Sequence, residues 1–179
     1  MDQTLHGKKI AFLTANEGVE EIELTEPWKA VCEAGGEPVL LAPSAKAVQA
    51  FNHLDKGERF EPDDSIAHAD PQRFDGLVLP GGVANPDQLR TEPDALAFIR
   101  QFALSGKPIA AICHAPWTLV EADVVRGRRL TSWPSLQTDI RNAGGEWVDE
   151  EVVVDQGLVS SRKPDDLEAF CASMVEAFS

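Results

Sequence analysis

Cysteine is scarce: the 179-residue chain has three, at positions 32, 113 and 171, and no Cys-x-x-Cys pair. That excludes a disulfide framework and thioredoxin-like or zinc-ribbon chemistry, and it reads as a chain kept in a reducing compartment. No metal-ligand spacing is visible, so neither a metal nor another cofactor is expected. Long apolar runs are also missing, since none approaches the roughly 20 residues a membrane helix needs, and the opening Met1 to Lys9 has no apolar signal-peptide core. The expectation is a soluble cytoplasmic protein with no membrane partner. Positive charge is in the minority, with sixteen Lys plus Arg against thirty Asp plus Glu and a formal net charge of −14. Such a field repels phosphate backbones, which excludes nucleic acid as a partner.

What remains is the composition of a globular protein, with 43% hydrophobic and 26% charged residues. One hydrophobic core serves chains of up to roughly 250 residues, so residues 1–179 read as a single domain. The apolar run Lys8 to Thr14 suits a strand buried on both faces. A helix follows from Glu21 to Ala34, with Leu24, Trp28, Val31 and Cys32 at helical spacing and Gly35-Gly36 as its stop. The second strand is 37–42, which makes the unit βαβ. Residues 43–71 are polar and weakly patterned and read as a hairpin or long excursion.

Further strands are expected at 75–80, 107–112, 151–154 and 158–160, the last two joined by a hairpin turn at Asp155-Gln156-Gly157. Helices are expected through 94–106, from Pro116 to Ala122, over 135–143, and from Pro164 to the end, where Leu167, Phe170, Cys171, Met174, Val175 and Phe178 form one stripe. Alternating strands and helices predict an α/β, doubly wound, mostly parallel sheet sandwiched between helices. Cys32 and Cys171 are assigned to packing on apolar helix faces.

Ligands of an open α/β sheet bind beyond the carboxyl ends of its strands. Three such ends stand out: an acid cluster from Glu17 to Glu26, the turn Pro80-Gly81-Gly82, and Cys113-His114. Cys113 lies at a strand-to-helix elbow, a place that exposes a nucleophile beside helix amides and lowers its pKa. His114 supplies a base, although sequence neighbours point to different faces unless the elbow turns sharply. Gly81 and Gly82 allow backbone N–H groups to approach a substrate oxygen as an oxyanion hole. Most of the five carboxylates at 17, 20, 21, 23 and 26 suit a solvated helix start. A carboxyl facing a thiolate must instead keep its proton, which requires a raised pKa.

Four ordered segments carry a family resemblance: Glu17-Gly18-Val19-Glu20-Glu21-Ile22-Glu23-Leu24-Thr25-Glu26-Pro27; Leu77 to Asp87 around Pro80-Gly81-Gly82; Ala111-Ile112-Cys113-His114-Ala115-Pro116; and Thr131-Ser132-Trp133-Pro134 onward to Arg162. Through them the chain resembles the ThiJ/PfpI superfamily, most closely its PfpI-type intracellular protease branch. The resemblance implies a flavodoxin-like domain related to class I glutamine amidotransferases, with Cys113 as nucleophile. It implies that Glu23 is a protonated carboxyl hydrogen-bonded to the thiolate, with Glu20 a second acid in the same loop. His114 matches the branch's histidine, and Asp87 stands where a neighbouring subunit supplies the acid of a Cys-His-acid triad. The site would then need a homo-oligomer, dimer or hexamer. The amides of Gly82 and His114 match the oxyanion donors. Ala115 replaces a frequent Gly, and Trp133 stands where an aromatic, often Tyr, narrows the substrate pocket.

The function expected is therefore a stress-protective cysteine hydrolase acting on a small carbonyl or peptide substrate, as a peptidase or as a deglycase or glyoxalase-like enzyme. The alternative is a redox sensor or chaperone whose Cys113 is oxidised to a sulfenic or sulfinic acid without turnover.

Overall fold

The computed structural model describes residues 4–179; Met1 to Gln3, part of the segment read for a targeting signal, lie outside the described residues. Along the chain run β1 (Lys9–Leu13), β2 (Glu17–Glu20), α1 (Glu21–Glu33), β3 (Glu37–Ala42), β4 (Val48–Asn52), β5 (Asp55–Phe60) and β6 (Asp64–Ser65). Then come β7 (Gly76–Leu79), α2 (Ala84–Leu89), α3 (Pro93–Leu104), β8 (Ile109–Ile112), α4 (Pro116–Glu121) and β9 (Arg129–Leu130). The chain closes with α5 (Gln137–Asn142), β10 (Glu146–Trp147), β11 (Val152–Asp155), β12 (Leu158–Ser161) and α6 (Leu167–Phe178).

The main sheet has seven strands in the order β11-β12-β8-β7-β1-β3-β6. Every neighbouring pair is parallel except the β11–β12 hairpin. Successive strand residues face opposite sides, so alternation divides the core in two. Ala11 and Leu13 of β1 and Ile109 and Ala111 of β8 face the layer of α3, α4 and α5. Ile10, Phe12, Ala110 and Ile112 face α1 and α6, where Phe170, Met174 and Phe178 are buried. This is the doubly wound sandwich expected from the alternating pattern, in the flavodoxin-like form that the family resemblance implies.

The excursion at 43–71 contains an antiparallel β4–β5 hairpin. Beside it pairs β2, a strand that the sequence pattern does not announce because its residues Glu17-Gly18-Val19-Glu20 look like an acidic loop. His53, at φ +61°, makes the hairpin turn, and its N–H donates to Glu20 Oε2 at 3.1 Å. The acid cluster is thus partly structural. Glu20 holds the hairpin tip, and Glu21 Oε2 accepts from the Glu58 amide at 2.7 Å.

One assignment is corrected. Cys32 is exposed, not packed, because Leu24, Pro27 and Val31 form the buried face of α1 and Cys32 lies beside it. Among the described residues no helix is long and apolar enough to cross a membrane.

Candidate active site

Both β7 and β8 are fully buried strands, and their carboxyl ends deliver Pro80-Gly81-Gly82 and Cys113-His114 side by side. Cys113 is a non-glycine residue at φ +64°. A left-handed residue of this kind costs about 1–2 kcal/mol, and the surroundings hold it in place. Its N–H donates to Ser161 O at 3.1 Å, and its carbonyl accepts from Trp133 N at 2.9 Å. This kink is the sharp turn that the Cys-His pair requires: Cys113 Sγ lies 3.2 Å from His114 Nδ1. Ala115, with φ −53°, has no need of glycine's freedom.

Glu23, on the first turn of α1, is fully buried, and its Oε2 accepts from the Gly81 amide at 3.0 Å. That amide is therefore occupied by Glu23, which is at odds with the part expected of it in an oxyanion hole. A Cβ on Gly81 would run into the Glu23 carboxyl and sit 2.6 Å from Cys113 Cβ. The turn itself is clamped by buried Asn85, whose Nδ2 donates to Pro80 O at 2.9 Å and whose Oδ1 accepts from Ala15 N at 2.7 Å. Asn85 is not among the residues expected from sequence, since nothing local marks a helix residue that reaches back to a turn.

Burial, reinforced by the charge of Glu20, raises the Glu23 carboxyl from its ordinary value near 4.5 to about 8, against the pull of Cys113 and the amides of Gly81 and Gly82. At neutral pH it is an uncharged carboxylic acid. Its Oε1 has no aligned hydrogen-bond partner among the described residues, and the Cys113 thiol is the group it couples to. For Cys113 the sequence expectation of a lowered pKa is corrected. Burial first, and the charge of an ionised Glu23 second, push the thiol up, while the Gly82 and His114 amides favour the thiolate. Helix α4 starts only at Pro116, so its N-terminal field reaches the sulfur less than an elbow directly on the helix would allow. Burial also pushes His114 down, from near 6.5 to about 4. The resting site therefore holds a neutral thiol, a neutral imidazole and a neutral acid.

Aromatic rings enclose the imidazole. Trp133 stacks on it with centroids 5.6 Å apart at 21°, and Trp117 tilts against it at 5.2 Å. Trp133 is 38% exposed, so the ring that covers the imidazole is itself in contact with solvent. Ser135 Oγ lies 3.5 Å from His114 Nε2, a neighbour the sequence does not reveal. Asp87 is exposed on α2 and makes no hydrogen bond to His114 within the chain. No cluster of His, Cys, Asp or Glu able to hold a metal ion exists among the described residues.

Comparison with known proteins decides the family. Residues 8–177 match the DJ-1/PfpI family. The chain belongs to the DJ-1/PfpI family. It is 46% identical over 166 residues to protein/nucleic acid deglycase 2 of Escherichia coli, covering 91% of this chain and 93% of that one. Against deglycase PfpI of Pyrococcus furiosus the identity is 42% over 168 residues, covering 94% and 98%. Drosophila melanogaster DJ-1beta superposes with a TM-score of 0.87 at 29% identity, covering 96% of this chain and 90% of that one. At the level of the family, these relatives support hydrolase chemistry.

Proposed function

We propose that this DJ-1/PfpI chain is a cytoplasmic cysteine hydrolase of carbonyl substrates, a deglycase in the first place and a peptidase in the second. The observation that carries the reading is the 3.2 Å approach of Cys113 Sγ to His114 Nδ1 at a strained elbow. Neutral His114 has a free ring nitrogen to accept the thiol proton as sulfur attacks the carbonyl carbon. The S–C bond forms, the carbonyl π pair moves to oxygen, and the Gly82 and His114 amides stabilise the oxyanion. With an acyl substrate, collapse expels the amine, which takes its proton from His114, and water then hydrolyses the thioester. Neutral Glu23 allows negative charge to pass onto sulfur without a second charge beside it. Trp133 narrows the entrance and presents an apolar wall to the substrate.

Asp87 enters this reading through assembly. It supplies the acid for His114 of a neighbouring copy in a homo-oligomer, dimer or hexamer, which its exposure permits. Three free cysteines suit a reducing compartment and a part in protection against reactive carbonyls. The test is turnover of glyoxal-derived amino-acid adducts and of a fluorogenic peptide by the parent protein and by Cys113→Ala. The reading expects adduct turnover lost in the variant, and activity surviving in Cys113→Ala would sink it.

A second reading is favoured by the protonated Glu23, which has a hydrogen to donate beside the sulfur. Two equivalents of peroxide convert the thiol to a sulfinic acid and release two waters, and Glu23 then stabilises the oxidised group as a sensor. Mass spectrometry of peroxide-treated Glu23→Asp separates the two: a sulfinate as stable as in the parent contradicts the sensor.

A further inference from the structure

At the end of the sheet opposite Cys113 lies a depression of about 510 Å³ that takes no part in the chemistry above. Its walls are the carboxyl half of α3, the loop after α4 and the β11–β12 turn, and three arginines line it: Arg100, Arg126 and Arg128. Gly157, in that turn, accepts from Ile109 N where β8 begins, whereas Cys113 follows where β8 ends. We propose that this depression is a binding site for a small organic phosphate, a phosphate monoester with an apolar group attached.

Charge sets the depression apart from the rest of the molecule. The chain carries a formal net charge of −14, and a field of that sign keeps anions away. Here the balance is reversed: three guanidiniums face one carboxylate, Asp123, which leaves a local surplus of two positive charges. Asp123 itself is taken by Arg126 at 3.0 Å. A phosphate monoester carries close to two negative charges at pH 7, which matches that surplus.

Neutral backbone holds the other two arginines. Arg100 Nε donates to Ala122 O and its Nη2 to Glu121 O, each at 3.2 Å, and Arg128 Nη1 donates to Gln156 O at 3.1 Å. Carbonyl partners fix a guanidinium without cancelling its charge, and a guanidinium has more N–H donors than these bonds use. The spare donors are those that phosphate oxygens accept from. Of the acids nearby, Glu121 pairs with Arg90, and Asp155 accepts from Arg129 N at 2.7 Å. Neither is bonded to Arg100 or Arg128.

The backbone of the walls is constrained as well. Asp123 at φ +56° and Gln156 at φ +49° are two of the four left-handed non-glycine residues among the described ones, and a third is the nucleophile Cys113. Such positions persist where the surrounding structure over-determines them, and they cluster at active sites and ligand clamps. Beside the arginines stand Val124 and Leu104, the latter 88% exposed. A bare inorganic ion leaves that side chain in water, whereas the organic half of a monoester covers it.

The test titrates phenyl phosphate into the full chain labelled with 15N at arginine and follows the side-chain Nε–Hε correlations, with inorganic phosphate and benzoate as comparison probes. The proposal expects saturable shifts at Arg100 and Arg128 and tighter binding of phenyl phosphate than of either comparison probe. It expects the same affinity in Cys113→Ala, which separates this site from the elbow. Arg128→Gln should weaken phenyl phosphate by about tenfold, the loss of one charge-assisted hydrogen bond. Asp123→Asn should tighten it by about threefold by removing the competing carboxylate. Asparagine accepts the left-handed conformation, and a damaged fold does not produce a gain in affinity. Shifts that never saturate, phenyl phosphate no tighter than inorganic phosphate, or equal affinity in the parent, Arg128→Gln and Asp123→Asn would each overturn the proposal.

Discussion

The Gly81 amide donates to Glu23 Oε2 at 3.0 Å, joining the turn after β7 to the first turn of α1 directly behind the nucleophile. Glycine is required there by proximity. A Cβ at 81 would meet the Glu23 carboxyl and would lie 2.8 Å from Ile112 O. Gly81→Ala is expected to destabilise the fold by about 1–3 kcal/mol through overpacking, and to slow Cys113 alkylation. Denaturant melts read the first effect and peptide mass spectrometry the second; a variant with unchanged midpoint would show that the turn can yield.

Stability should depend on pH through two buried groups of opposite sign. Glu23 titrates near 8 in the folded protein against about 4.5 unfolded, so its contribution is fully present below 4.5 and is lost as pH rises through 8. His114 titrates near 4 folded against about 6.5 unfolded, so its contribution is present above 6.5 and is lost as pH falls through 4. The two slopes oppose each other between about 4.5 and 6.5. Glu23→Gln should flatten the alkaline limb and His114→Gln the acid limb in thermal melts recorded across pH. Parental limbs in both variants would contradict these shifts.

Trp133 shields His114. Burial is the cause of the lowered His114 titration, and the Trp133 ring covers one face of the imidazole. Trp133→Ala should therefore move that titration from about 4 back toward 6.5, as read from the imidazole proton shifts by NMR. The lost stacking contact contributes about 0.5–1.5 kcal/mol. An unmoved titration would assign the shielding to Trp117 and the sheet alone.

Asp87 tests assembly. If a second copy brings this carboxylate to His114, the protein sediments as a dimer or hexamer at assay concentration, and Asp87→Ala lowers kcat without changing the melting temperature of the fold. A monomer with full turnover would remove Asp87 from the site.

The strands that build the site are legible in the sequence because continuous apolar runs such as Gly76–Leu79 and Ile109–Ile112 allow few other placements in an α/β chain. Their ends then locate Gly81, Gly82, Cys113 and His114. Short polar elements are not legible. The acid-rich β2 is a strand only through its pairing with β4, β9 and β10 pair over two residues each, and the six-residue α2 is too short for periodicity to show. Cys32 shares helical spacing with the buried positions of α1 yet sits at the edge of the stripe. Asn85 and Ser135 make their contacts across 70 and 21 residues of sequence, and contacts at such separation leave no local pattern. The thiol departs from its expected pKa because an elbow suggests helix amides, whereas burial depends on the packed whole.

Cys113 acts, in this mechanism, as a nucleophile deprotonated by His114 beside a neutral Glu23. The most direct test is the alkylation rate of Cys113 against pH, resolved from exposed Cys32 and from Cys171, which burial and Glu26 push to about 12. The mechanism predicts a Cys113 rate well above that of Cys171 at pH 7, rising as His114 loses its proton near 4 and turning over as Glu23 ionises near 8. Glu23→Gln should abolish the upper turn. A Cys113 as slow as Cys171, with a rate that climbs only in strong alkali in both proteins, would contradict it.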